Sequence, residues 1–336
     1  MTPLTEADEI SDIAFGFMGS KALFAALKFG VFTKLSEGPG TAADLAGDEI
    51  HPDRMETLLT ALAGLGLVTV EDGRFSNSPA AEAFLVRGAK YDFGEYLRLQ
   101  VGQQMYPLLD QIERALDGSL GAEATKSYAE WFSDPEEARL YSESQHAGSI
   151  GPARQLAKAL EIEGPARLLD VGGGTGAFAI TLCKAFPELT ATIVDFPNVA
   201  ALGRRYVEEA GLSDRIAYAD GDALEKGWPG GQDIVLMSYL FSGVPGDAHH
   251  GLIADAWTAL RPGGRILVHD FVVDESREGP RLAALWQLQH TAFTPEARSL
   301  DDGWLKAALE GAGFTEVGVR PMIPEMTMLA EGVKPA

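Results

Sequence analysis

The chain has 336 residues, is 46% hydrophobic and 23% charged, and carries a formal net charge of −22. That balance describes a globular protein of one large or two smaller domains, and its acidity argues against nucleic acid and anionic membranes as partners. The acidic start Met1–Ile10 is unlike a secretory signal, no apolar run is long enough to cross a bilayer without a charge or turn residue, and the single Cys183 allows no internal disulfide and reads as a buried helix residue. A cytoplasmic location is the expectation.

Residues 10–35 are apolar on all sides, with Ile13, Phe15, Phe17, Met18 and Phe24 among them. This predicts helices buried on more than one face, as in an intertwined homodimer. Thr41 caps a short helix, Pro52 to Leu65 reads as a second helix, and residues 66–75 read as a hairpin turning at Asp72–Gly73. Helix–turn–helix–hairpin is a winged-helix arrangement. Its recognition helix offers Arg54 alone as a cation, so a dimerisation and substrate-lid role is preferred to DNA binding. The expected division is a helical winged-helix domain over 1–105, a helical connector over 106–150 and an α/β domain over 151–336.

The central motif is Leu168–Leu–Asp170–Val–Gly172–Gly–Gly174–Thr–Gly176, a strand ending on an acid and breaking into glycines, followed by a helix from Ala177. Glycines let the backbone approach a ligand where a Cβ would clash. A second strand ends at Asp195 and a third leads into Asp220–Gly221–Asp222. Acceptors at these strand ends suit ribose hydroxyls and the amino edge of adenine. An acid ending the first strand is a poor neighbour for a pyrophosphate and a good one for a sulfonium with an amino-acid tail. The pattern therefore favours S-adenosylmethionine (SAM) over NAD.

Together with Arg261–Pro–Gly–Gly264, these motifs resemble the class I SAM-dependent methyltransferases of the small-molecule O-methyltransferase type. The resemblance covers nearly the whole chain. It implies an α/β fold: a Rossmann-like seven-stranded sheet with a C-terminal antiparallel hairpin, preceded by a winged-helix dimerisation domain in a homodimer. It implies that SAM is converted to S-adenosylhomocysteine. Gly172 and Gly174 would approach the methionine part, Asp195 the ribose, Asp222 and Ala223 the adenine and Ser238 the amino-acid end, with Asp170 and Phe196 completing the cofactor set.

The family keeps a general-base His after its fourth strand, and Phe241 is expected at that place, with one supporting acid at Asp270 and the other falling near Ala297, beside Glu296. A phenylalanine takes no proton, and general-base help is worth roughly 10²–10⁴-fold. Either a base has moved, or the nucleophile has no proton to lose. A thioether sulfur is such a nucleophile. The pattern is thus similar to the bacterial S-methyltransferases acting on 4-methylthio-2-hydroxybutyrate in dimethylsulfoniopropionate synthesis. The open alternatives are O- or C-methylation of an aromatic natural product with His146 or His290 as a relocated base, and a SAM-binding relative that does not methylate.

No residue is assigned as a certain catalyst. The pocket candidates are Tyr106, Gln145, His146, Phe241, Trp286, Gln289 and His290, and Arg98, Gln103 and Gln104 join them as substrate donors. His249 and His250 read as solvated surface, and His269 as facing either the cleft or the core. No spacing suggests a metal site.

Overall fold

The computed structural model describes residues 3–120, 128–225, 227–294 and 296–336. They form two compact units, Met1–Pro107 and Leu108–Ala336. Residues 108–150 cluster with the second unit.

In the first unit, α1 (Ala7–Lys28) and α2 (Val31–Ser36) precede α3 (Ala42–Ala46), α4 (Pro52–Gly64), the hairpin β1 (Val68–Glu71) and β2 (Arg74–Asn77), and α5 (Pro79–Phe84). Thr41 caps α3 by accepting from the Asp44 N–H, and the Asp44 carboxylate answers on the Thr41 N–H at 2.9 Å. Asp72 and Gly73, both left-handed, turn the hairpin. A π-helical run, Tyr96–Met105, follows. The core gathers Phe32, Leu35, Met55, Leu59, Leu62 and Phe75.

The N-terminal helix departs from expectation. It buries only Ala26 and Leu27, and Ile10, Ile13, Phe15, Phe17 and Met18 are 51–64% exposed. By length and composition α1 is also apolar enough to cross a bilayer.

The second unit runs α6 (Tyr106–Leu109, beginning at the boundary), α7 (Ile112–Leu116), α8 (Tyr128–Trp131), α9 (Pro135–Ala159), β3 (Ala166–Val171), α10 (Ala177–Ala185), β4 (Leu189–Asp195), α11 (Pro197–Glu209), β5 (Ile216–Asp220), β6 (Gln232–Ser238), α12 (His249–Ala259), β7 (Leu260–Asp270), α13 (Arg281–Phe293), α14 (Asp302–Gly311), β8 (Thr315–Ile323) and β9 (Thr327–Val333). Its seven strands lie in the order β5-β4-β3-β6-β7-β9-β8, parallel through β7, with β9 and β8 antiparallel. The alternating sides of a strand feed two cores. Leu168, Ile234, Leu236 and Leu267 enter one, and Leu169, Val171, Val235 and Val268 the other. Apolar residues on both faces explain why these strands read as continuous hydrophobic runs. Strand order reverses between β3 and β6, and ligands of open α/β sheets bind at the carboxyl ends of strands beside such a reversal.

Asp134 caps α9, accepting from the Glu136 and Glu137 N–H groups at 2.8 and 3.1 Å, and Pro135 takes the first helical position. The helix then presents Ser142, Gln145, His146 and Ser149 at helical spacing on one face.

One close approach ties a helix to the glycine loop. The Tyr218 hydroxyl on β5 donates to the Gly174 carbonyl at 3.0 Å, passing over Gly203 of α11. A Cβ at Gly203 would overlap that hydroxyl. Gly203→Ala is therefore expected to cost about 1–3 kcal/mol through overpacking and to weaken SAM binding by moving Tyr218 off the loop. Chemical denaturation and calorimetric titration of the variant check both effects.

Candidate active site

The glycine loop after β3 and the acids at strand ends form one wall of a cavity of about 570 Å³. Gly174 has a left-handed φ of +58°, with nothing within 4 Å of the place a Cβ would take. At Gly173 a Cβ would come 2.6 Å from the Asp170 carboxyl carbon. The loop therefore needs glycine for its path and its packing, as the sequence reading expected.

Asp195 anchors this loop. One carboxylate oxygen accepts from the Gly174 N–H at 2.7 Å and the other from the Phe196 N–H at 2.8 Å. Each oxygen keeps a further lone pair for a ligand hydroxyl. Burial pushes Asp195 up to about 6. Asp170 is fully enclosed, and among the described residues its carboxylate makes no close hydrogen bond, the Ala179 N–H being the donor that faces it. Burial, with Asp195 nearby, raises it to about 7. Two buried acids beside an open glycine cradle are costly when ionised and unpaired. A cationic ligand rich in donors relieves that cost, so this wall fits SAM.

All eight sequence-derived cofactor residues line this one cavity: Asp170, Gly172, Gly174, Asp195, Phe196, Asp222, Ala223 and Ser238. Gln145 and His146 line it too. His146 Nδ1 lies 2.7 Å from Thr175 Oγ1, and its ring packs on Tyr206 at 4.2 Å. Burial, with Lys184 nearby, lowers its pKa to about 4, so the imidazole is neutral near pH 7. Its bond to Thr175 ties it to the glycine loop.

The turn after β6 overturns part of the sequence reading. Tyr239 adopts a left-handed φ of 58°, and its N–H donates to the His269 carbonyl at 2.8 Å. That twist turns Phe241 away from the cavity. Its fully buried ring stacks on His249 at 4.9 Å. The turn offers the cavity Tyr239, Leu240, Gly243, Val244 and Pro245 instead. A His at 241 would thus meet the core, not an acceptor. His249 is itself fully buried, against the expectation of a solvated residue, and its Nε2 is 2.8 Å from the Phe241 carbonyl oxygen. Asp270 braces this turn by accepting from the Ser242 N–H at 3.0 Å and the Phe271 N–H at 2.8 Å.

Other substrate candidates fall outside the cavity wall. Trp286 stacks on Phe271 at 4.4 Å. Gln289 and His290 are buried on α13 beyond the described lining, and among the described residues neither His290 ring nitrogen has a hydrogen-bond partner. Arg98 is paired with Glu95 at 2.5 Å within the first unit. Tyr106 packs edge-on against Phe24, beneath the Lys21 ammonium. Gln103 is exposed, and the buried Gln104 Oε1 has no partner there. The sequence reading gave no cavity role to Ser142, Ser149, Thr175, Phe132 or Tyr141, which do line the cavity, and Glu296, noted beside the second supporting acid, lines it too. The spacing of Ser142 and Ser149 with Gln145 on α9 was the available signal.

A doubly wound sheet with a glycine loop and strand-end acids lining a cavity at its switch point fits a SAM-dependent methyltransferase. Comparison with known proteins gives the family. An O-methyltransferase domain matches residues 113–315, and an O-methyltransferase dimerisation domain matches residues 11–87. The chain belongs to this O-methyltransferase family. It is 31% identical to a 3-hydroxy-5-methyl-1-naphthoate 3-O-methyltransferase of Streptomyces sahachiroi, over 97% of this chain and 94% of that protein. It is 30% identical to the N,N-dimethyltransferase OxyT of Streptomyces rimosus, over 94% and 92%. Human N-acetylserotonin methyltransferase in complex with SAM has the same fold, with a TM-score of 0.86, 22% identity and complete coverage of both chains.

Ligand binding and protonation are coupled at these carboxylates. Both folded values lie above the ordinary 3.8, at about 6 for Asp195 and about 7 for Asp170. Their contribution to stability is present below the ordinary value and is lost as pH rises through 6 to 7. SAM favours the ionised forms, so its binding is expected to release protons near pH 6, and its affinity to fall as pH drops from 8 to 5. Titration calorimetry in buffers of different ionisation enthalpy measures the release. A pH-independent affinity with no proton release would refute the assignment.

Proposed function

We propose that this enzyme methylates an aromatic hydroxyl acceptor of natural-product type that arrives with its proton weakly held or already lost. The aromatic wall carries this reading. Phe132 and Tyr141 line the cavity with their rings 5.1 Å apart, and Phe132 lies 6.0 Å from Phe196 of the cofactor set. Such a wall suits a flat ring. The naphthoate 3-O-methyltransferase relative supports the same class of acceptor.

SAM supplies an electrophilic methyl group on a sulfonium. The acceptor's lone pair forms the new bond as the carbon–sulfur bond breaks, leaving S-adenosylhomocysteine. Among the described cavity residues the only imidazole is His146, tied to the glycine loop. The turn after β6 contributes Tyr239, aliphatic side chains and backbone. The protein's contribution is then to align the two reactants and keep water out. An acidic phenol reacts as its phenolate under those conditions.

The same base-poor turn favours a second reading, S-methylation of a thioether acid such as 4-methylthio-2-hydroxybutyrate. A thioether loses no proton, and the aromatic rings would favour the new sulfonium by about 0.5–2 kcal/mol each. Against it, the described cavity lining holds no Arg or Lys for the acid's carboxylate.

We also propose that the enzyme works in the cytosol as a homodimer, a second copy covering the exposed apolar residues of α1. The dimerisation-domain match over residues 11–87 supports this.

Two measurements test these readings. S-adenosylhomocysteine release is followed on phenols of graded acidity and on the thioether acid. Turnover is expected on the phenols, with a rate limb that tracks each phenol's own pKa. Turnover confined to the thioether acid, without a pH limb, would establish the second reading instead. Light scattering at micromolar concentration should give twice the chain mass, and a stable monomer would reject the dimer.

A further inference from the structure

Behind the cavity wall lies a line of buried hydrogen bonds that joins three strands. Register pairs Ser238 at the end of β6 with His269 on β7, and Thr327 opens β9. Ser238 Oγ lies 2.8 Å from His269 Nδ1, and His269 Nε2 lies 2.8 Å from Thr327 Oγ1. His269 is fully buried, Thr327 is 1% exposed, and Ser238 reaches the cavity.

The protons in this line can be placed by counting. Burial lowers the His269 pKa to about 3, so the ring is neutral and carries one N–H. Thr327 Oγ1 already accepts from the Ile323 N–H at 3.3 Å. Among the described residues, His269 Nε2 is the one acceptor bonded to the Thr327 hydroxyl. Thr327 Oγ1 keeps a second lone pair, but its buried proton has no other acceptor among the described residues and would be left unpaired if Nε2 carried the ring proton. Nε2 therefore accepts, the ring proton sits on Nδ1, and Nδ1 donates to Ser238 Oγ. The Ser238 proton is left pointing into the cavity.

We propose that Thr327 and His269 are positioning residues which lock Ser238 as a hydrogen-bond donor toward the carboxylate of the amino-acid end of SAM. The opposite tautomer would draw the Ser238 proton back onto Nδ1 and present only lone pairs, which repel a carboxylate. A hydroxyl with its oxygen already occupied loses little rotational freedom on binding, so the contact is preorganised.

Nitrogen NMR of histidine-labelled enzyme without ligand reads the tautomer directly. The His269 signal is expected to be that of the Nδ1–H form, and the Nε2–H form would overturn the proposal. Calorimetry then compares S-adenosylhomocysteine with methylthioadenosine, which lacks the amino-acid end. Ser238→Ala should weaken S-adenosylhomocysteine about tenfold or more, the loss of a hydrogen bond to a charged group, and leave methylthioadenosine unchanged. His269→Phe should give several-fold weakening of the same selective kind, with Thr327→Ser retaining wild-type affinity. Equal effects on both ligands, or none with Ser238→Ala, would also overturn it. If His269→Phe does not fold, the tautomer and Ser238→Ala decide the matter.

Discussion

The site depends on burying carboxylates beside a backbone loop that has no side chains to cover them. Asp195 holds the loop through the Gly174 N–H, while Asp170 sits enclosed with only the Ala179 N–H facing it among the described residues. A protein rarely leaves buried acids in that condition unless a ligand completes them. Packing conveys the same constraint outward. Tyr218 reaches the Gly174 carbonyl only because Gly203 leaves room, so even α11 is shaped by the loop.

The other half of the cavity follows a different logic. Left-handed Tyr239 reverses the chain after β6, and Asp270 is occupied in accepting from the Ser242 and Phe271 N–H groups. An acid that the family resemblance marked as support for a base instead holds a turn. Phe132, Tyr141, Leu240 and Val244 line the cavity as well, Phe132 packing against Phe196 of the cofactor set. Such surroundings accelerate methyl transfer by alignment and exclusion of water. They place the burden of ionisation on the acceptor.

The buried polar groups divide by depth. Ser238 and His146 each show a polar face to the cavity and a hydrogen bond behind it, to His269 and Thr175. His249 and His269 lie wholly inside, where burial lowers both pKa values and keeps the rings neutral. In a neutral ring one nitrogen donates and the other accepts. A buried histidine can therefore pass orientation from one strand to the next without carrying charge.

The sequence by itself brought the glycine loop and the strand-end acids together and located the first hairpin's turn at Asp72–Gly73, while the seven-stranded sheet came from the family resemblance. Glycines and acids at strand ends act through local backbone geometry, and continuous apolar runs mark strands covered on both faces. The eight cofactor residues therefore came together as expected. Only the tertiary structure decided where Phe241, His249 and the α13 side chains point. A single left-handed residue, Tyr239, sets the rotation of the turn, and nothing in a tyrosine's local preference announces that φ. Tertiary structure also showed that the apolar residues of α1 stay exposed in one chain. Composition counts apolar residues, and it does not say whether the surface that buries them belongs to the same chain or to another.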